Sequence, residues 1–139
     1  MISTEELRKE NKEITDLCQL LSLLVENPDM QTNTVFCELL ERFRHRVDVH
    51  LANEDHAVFR KLLTREDQHA HNIAADFLSN NRQLKKIFGE YKGQWCRDGM
   101  APAVGDQGFV ADTKDLFRLV CERVDMEHKK LFPLLLSSD

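Results

Sequence analysis

Two segments of this 139-residue chain each carry a carboxylate where a helix could aim it at a metal ion, and they stand 73 residues apart. The first reads His50-Leu51-Ala52-Asn53-Glu54, followed by Val58-Phe59. The second reads Arg123-Val124-Asp125-Met126-Glu127, followed by Leu131-Phe132-Pro133. His50 and Glu54 are four residues apart, so on a helix they share one face and can point at one atom. In the second segment Arg123 takes the place of the histidine. Imidazole plus carboxylate is a donor set for iron, and also for zinc or manganese. A carboxylate can bridge two ions, so Glu54 and Glu127 could link a pair of irons. A single His/Glu pair at this spacing arises by chance on many solvated helices; its repetition is what gives it weight.

Four helical segments must position these groups. The first is expected over Thr4 to Val25, with Leu7, Ile14, Leu17, Cys18, Leu21 and Leu24 at the 3.6-residue period. Ser3 with Glu6 has the form of a capping box, and Thr4 is an equal candidate for the cap. Asn27-Pro28-Asp29 ends this helix. The second is expected over Thr34 to Leu63. Thr64 is expected to cap the third, which continues through Ile73, Phe77, Leu78, Leu84 and Ile87 to about Arg97. After a loop from Gly99 to Gly108, the fourth spans Gln107 to Leu135. Rods of this size reach roughly 33 to 50 Å at about 1.5 Å per residue. Short links make sequential neighbours antiparallel, so residues 1–139 read as one all-α domain, an up-down-up-down antiparallel four-helix bundle.

Helices two and four align at the offset of 73, pairing Phe43 with Leu116, Val47 with Val120, Val58 with Leu131 and Phe59 with Phe132. Helices one and three align at an offset of 60, which pairs Thr4 with Thr64, Ile14 with Ala74, Leu17 with Phe77 and Asn11 with His71. Two helix pairs of one design then face each other, with Asn11, His50, Glu54, His71, Arg123 and Glu127 at similar inward depth. A bundle core tolerates buried carboxylates only where a cation or hydrogen bonds neutralise them, and bundles commonly do so with metal held between facing helices.

Composition removes other classes. A net charge of −5 and no basic stripe argue against nucleic acid and against an anionic membrane surface. The longest apolar stretch, Leu17 to Val25, is too short to span a bilayer, and the N-terminus lacks the form of a signal peptide. Cys18, Cys37, Cys96 and Cys121 have no paired spacing and are expected as buried thiols in a reducing cytoplasm. No nucleophile–base–orienter constellation and no phosphate-cradling glycine loop is present, so an enzyme is not expected. The Pro133-Leu134-Leu135-Leu136 tail offers apolar surface for a homodimer.

On His50-x-x-x-Glu54 with Phe59, and on Glu127 with Leu131-Phe132-Pro133, the chain resembles the hemerythrin-like (HHE cation-binding) family over essentially its whole length. In that family each half of a four-helix bundle offers a His early in one helix and a His-x-x-x-Glu in the next, around a non-haem di-iron centre. Carried over, the ligand positions fall on Asn11, His50, Glu54, His71, Arg123 and Glu127. Asn11 and Arg123 depart from the family pattern, each standing where it has a histidine. The resemblance implies an iron cofactor, with oxygen or nitric oxide as a small ligand, in sensing or storage. The alternative starts from Arg123. A guanidinium that never loses its charge repels a metal ion and can bond Glu54 or Glu127 instead, leaving a metal-free interaction or regulatory module.

The remaining histidines are weighed by helix geometry. His69 faces about 200° from His71 and is expected at the surface or behind a ligand, becoming the ligand if the third helix slips in register. His128 is about 100° from Glu127 and is expected to be exposed, although it could swing inward to compensate for Arg123. His45 and His56 lie off the site face.

Overall fold

The computed structural model describes residues 3–27, 34–96 and 107–136. The Pro28-Asp29 stop, Arg97 and the Gly99–Gly108 loop up to Asp106 lie outside these residues. All the described elements are helical, and they form a helical bundle of four rods. The first rod is α1, Thr4–Val25. The second joins α2, Thr34–Glu54, to a π-helical turn, Asp55–Phe59, and α3, Arg60–Thr64. The third is α4, Gln68–Trp95. The fourth joins α5, Gln107–Met126, to a second π-helical turn, Glu127–Leu131, and α6, Phe132–Leu136. None of the described helices is long and apolar enough to cross a membrane.

Capping sets where the first and third rods begin. The Ser3 hydroxyl accepts the Glu6 N–H at 3.1 Å, as expected of an N-cap. The third rod is capped by Asp67, whose carboxylate accepts the His69 N–H at 2.9 Å. Thr64, the expected cap, instead donates its hydroxyl to the Lys61 carbonyl at 2.9 Å and closes α3. The third rod therefore starts three residues later than Thr64 would place it.

Each rod buries one stripe with alternating three- and four-residue steps, the pattern that keeps a seam facing its neighbours at a shallow crossing angle. In α1 the stripe is Leu7, Asn11, Ile14, Cys18, Leu21 and Val25. In α4 it is Ala70, Ala74, Phe77, Asn81, Leu84, Phe88 and Tyr91. These stripes pair Leu7 with Ala70, Asn11 with Ala74 and Ile14 with Phe77, an offset of 63 rather than 60. The buried positions of the second and fourth rods do pair at 73: Phe36 with Phe109, Leu40 with Thr113, Phe43 with Leu116, Val47 with Val120, Leu51 with Val124 and Val58 with Leu131.

The first rod packs on α2 and α5, and α4 packs on α5 and α3. Between them the core divides in two. The larger cluster runs from Phe36 and Phe109 to Leu51 and Val124, and includes Phe43, which contacts Phe88 and Phe117. The smaller holds Leu7, Val58, Phe59, Leu62, Ala70, Ala74, Phe77, Leu131 and Phe132. Truncating a fully buried ring such as Phe43 to alanine would cost about 3–5 kcal/mol. At the far end of the larger cluster Cys37 and Cys96 form a disulfide that ties the start of α2 to the end of α4. This corrects the expectation of free thiols at these two positions. A 59-residue separation gives no sequence cue that the two helix ends meet. Cys18 and Cys121 are free thiols, one buried and one exposed.

A layer of polar side chains lies between the clusters

The buried polar side chains Asn11, His50, Glu54, Asn81, Arg123 and Glu127 fall between the two apolar clusters, one or more from each rod. They occupy stripe positions that would otherwise be hydrophobic. Glu54 is the last residue of α2, immediately before the first π turn, and Glu127 opens the second. Each inserted residue of a π turn rotates the helix face, and such turns occur often at functional sites. Here both bring a carboxylate inward at the same depth.

The contacts are close. His50 Nε2 lies 2.8 Å from Glu127 Oε1 and 3.2 Å from Glu54 Oε1. Asn11 Nδ2 donates to Glu127 Oε1 at 3.0 Å. Arg123 donates from Nε to Glu127 Oε2 at 2.7 Å and from Nη2 to Glu54 Oε1 at 3.2 Å. Its Nη1 donates to Asn81 Oδ1 at 2.5 Å, Asn80 Oδ1 at 2.9 Å and the Phe77 carbonyl at 3.4 Å. The guanidinium also lies 4.7 Å over the Phe77 ring, a cation–π contact. Two buried side-chain polar atoms stay without a hydrogen-bond partner among the described residues, Glu54 Oε2 and Asn11 Oδ1.

The charges are strongly coupled. Burial disfavours a charged imidazole, but the hydrogen bond to Glu127 and the nearby carboxylates of Glu54, Glu127 and Glu10 outweigh it, and His50 rises to about 9. Burial, and then the charge of Glu127, push the Glu54 carboxyl well above the usual range. Burial opposes ionisation of Glu127 too, but its hydrogen bond and charge pairing with His50, followed by the Arg123 charge, bring it down to about 2. The layer therefore favours a charged imidazole on His50 and an ionised Glu127, and holds Glu54 toward its protonated form. The two carboxyls titrate as a pair.

Of the residues expected at a metal site, His50, Glu54 and Glu127 come together, with donor atoms within 4.8 Å of one another. Arg123 and Asn11 join them. His71 does not. It is half-buried, and its Nε2–H donates to the Arg65 carbonyl beneath the α3–α4 turn. The later start of α4 explains this, because Ala74 pairs with Asn11 in the buried stripe and His71 is rotated off it. His69 is exposed, and His128 is exposed with its ring edge-on to Phe132. Sequence reasoning missed Asn81, which completes the shell around Arg123, and Glu10. Asn81 was detectable as a polar residue in phase with Ala70, Ala74, Phe77 and Leu84. Glu10 gave no such signal, being one of many acidic residues on α1.

The family model described as the Hemerythrin HHE cation binding domain matches residues 3–135. The chain belongs to that hemerythrin family. No curated protein and no solved structure matches it in the same way. The buried stripes of this hemerythrin-family chain present Asn11, His50, Glu54, Ala74, Arg123 and Glu127 toward the interior. Three of them carry donors suited to a metal. A two-ion centre does not fit this hemerythrin chain, because the Arg123 guanidinium occupies the second half of the site and bonds both carboxylates. One cation fits better: one imidazole nitrogen and two carboxylates converge, and Glu54 Oε2 has no other partner.

Proposed function

We propose that this domain binds a single divalent transition-metal ion through His50, Glu54 and Glu127. The observation that carries the reading is the three-donor cluster, with donor atoms within 4.8 Å and the Glu54 Oε2 atom without a hydrogen-bond partner. Iron is the ion we assign, because imidazole with carboxylates suits it and the family binds cations. A bound iron would supply coordination positions for a small diatomic ligand, oxygen or nitric oxide, in a sensing or storage role. Charge supports one ion rather than two. One divalent ion can take the place of the proton on His50 Nε2 between the two carboxylates, whereas a second ion would meet the permanent charge of Arg123, which bonds both of them. We also read the bundle as up-down-up-down. Glu10 meets Asn53 while Glu13 meets Arg46, and Asn81 meets Asp55 while Lys92 meets Glu41, so contacting rods run in opposite order.

One observation favours a second reading. Arg123 already bonds both carboxylates, so the core can be neutral without metal and the domain could act as an interaction or regulatory module. Anaerobic reconstitution with Fe(II), followed by dialysis and elemental analysis, separates the two. One ion per chain in the wild type, lost in His50→Ala and Glu54→Ala, supports the cation site. Uptake far below one ion per chain, or uptake indifferent to both substitutions, overturns it in favour of the self-neutralised core.

A further inference from the structure

His50 has a second nitrogen, and it faces the other way. Nδ1 lies 2.7 Å from Glu10 Oε1, while the other oxygen of Glu10 accepts Asn53 Nδ2 at 2.8 Å. Glu10 lies three residues beyond Leu7 of the smaller apolar cluster, and its neighbour Asn11 donates to Glu127. Adjacent residues of the first rod thus hold two different members of the layer. The Glu10 side chain is 23% exposed and forms part of the wall of an open surface groove of about 530 Å³ between the first and second rods. His50, by contrast, is almost fully buried.

An ionised carboxylate only accepts hydrogen bonds. The 2.7 Å contact therefore requires His50 to carry its proton on Nδ1, and Nε2 then presents its lone pair to the core once its own proton leaves. In neutral imidazole the partner of one nitrogen decides what the other can do. Histidines that bind metal commonly donate their remaining N–H to a carboxylate, and removing that partner weakens metal binding roughly 10–100-fold.

We infer that Glu10 is a positioning residue for His50: from the rim of the bundle it fixes the ring's orientation and tautomer, so that Nε2 faces Glu54 and Glu127. Asn53 holds the Glu10 carboxylate in place for this. The consequence for ion affinity rests on the cation-site reading above; the consequence for the His50 ring does not.

Two measurements on the full-length protein test it. In the metal-free protein, the wild type is expected to show a slowly exchanging His50 Nδ1–H proton by NMR, lost in Glu10→Leu and retained in Glu10→Gln, whose amide oxygen can still accept it. In Fe(II) titrations under anaerobic conditions, Glu10→Leu is expected to weaken binding roughly 10–100-fold, with most of the affinity rescued in Glu10→Gln. Glu13→Leu is the control, since Glu13 pairs with Arg46 near the same groove and touches no residue of the polar layer. Circular dichroism checks that all three variants fold. An unchanged Nδ1–H signal in Glu10→Leu, or equal losses in Glu10→Leu and Glu13→Leu, overturns the assignment. Should the wild type take up no Fe(II), the cation reading falls, and the role of Glu10 is then decided by the NMR signal alone.

Discussion

The two halves of the polar layer share one frame and differ in their source of positive charge. Most buried positions of the second and fourth rods pair at one offset, and each rod has a π turn next to its inward carboxylate. In the first half His50 stands one turn before Glu54 and reaches across to Glu127, and its proton can leave and expose a metal donor. In the second, Glu127 is paired with Arg123, whose charge is permanent. The first rod contributes Asn11 to this layer, while the matching position of the third rod holds Ala74, which offers no donor. At about 4 Å and an effective dielectric near 20, each unit-charge pair is worth about 4 kcal/mol, so whichever cation sits between the carboxylates dominates the local energetics. The frame requires a cation at that depth without requiring that it be a metal.

Removing the permanent charge should have the largest effect. Arg123→Met keeps most of the volume but leaves Glu54 and Glu127 without their tethered counter-ion, and the metal-free protein should lose about 3–5 kcal/mol in urea unfolding. Added Fe(II) should restore part of that loss, because the ion takes over the same task. An Arg123→Met variant as stable as wild type without metal would show that the two halves do not depend on different cations. A gentler change, Arg123→His, makes the halves alike. It should raise Fe(II) uptake above that of the wild type, measured by elemental analysis, and no rise would mean that the missing donor at Ala74 limits the second half instead.

Acidity sharpens the comparison further. His50 is raised from 6.5 to about 9. Its stabilising contribution is therefore complete below pH 6.5 and lost as pH climbs through 9. Glu54 is also raised, by burial and by the charge of Glu127, and acts in the same sense: the stability it contributes is lost as it deprotonates. Glu127 is lowered from 4.5 to about 2, so its contribution is present above 4.5 and lost as pH falls through 2. The metal-free protein should thus lose thermal stability between pH 6.5 and 9, and again below pH 4.5. With Fe(II) bound, the alkaline loss should shrink, because the ion holds His50 without its second proton. A flat alkaline profile in the metal-free protein would remove His50 as the titrating member.

The bundle, the 73-residue echo and the inward face of His50, Glu54 and Glu127 were legible in the sequence because each rests on helical periodicity, which survives small errors at the ends. The third rod was not placed correctly. Thr64 and Asp67 are both good caps in isolation, and the choice between them depends on how Arg65 and Glu66 cross the turn, which no local rule fixes. Three residues of error there equal most of one turn, enough to swap His71 for Ala74 at the inward position. The depth of Glu54 and Glu127 was predictable, but the π turns that accompany them were not, because a single inserted residue leaves the apolar spacing almost unchanged. The Asn81 contact to Arg123 and the Glu10 contact to His50 join different rods, and only the packed structure brings them together.

The smallest expected effect concerns that register directly. His71→Ala removes one hydrogen bond to the Arg65 carbonyl, which should cost about 0.5–1.5 kcal/mol and leave Fe(II) uptake unchanged. His71 does not reach the polar layer, and the side chain of Ala74 fills the face that a third-rod ligand would need. A marked loss of Fe(II) affinity in this variant would mean that α4 turns by about 60° on binding the ion, bringing His71 inward and carrying Ala70 and Ala74 toward the edge of the apolar cluster. That rotation would expose a buried stripe along the rod, and its cost would be subtracted from the affinity, so added Fe(II) should then stabilise the fold by less than a preformed site would allow.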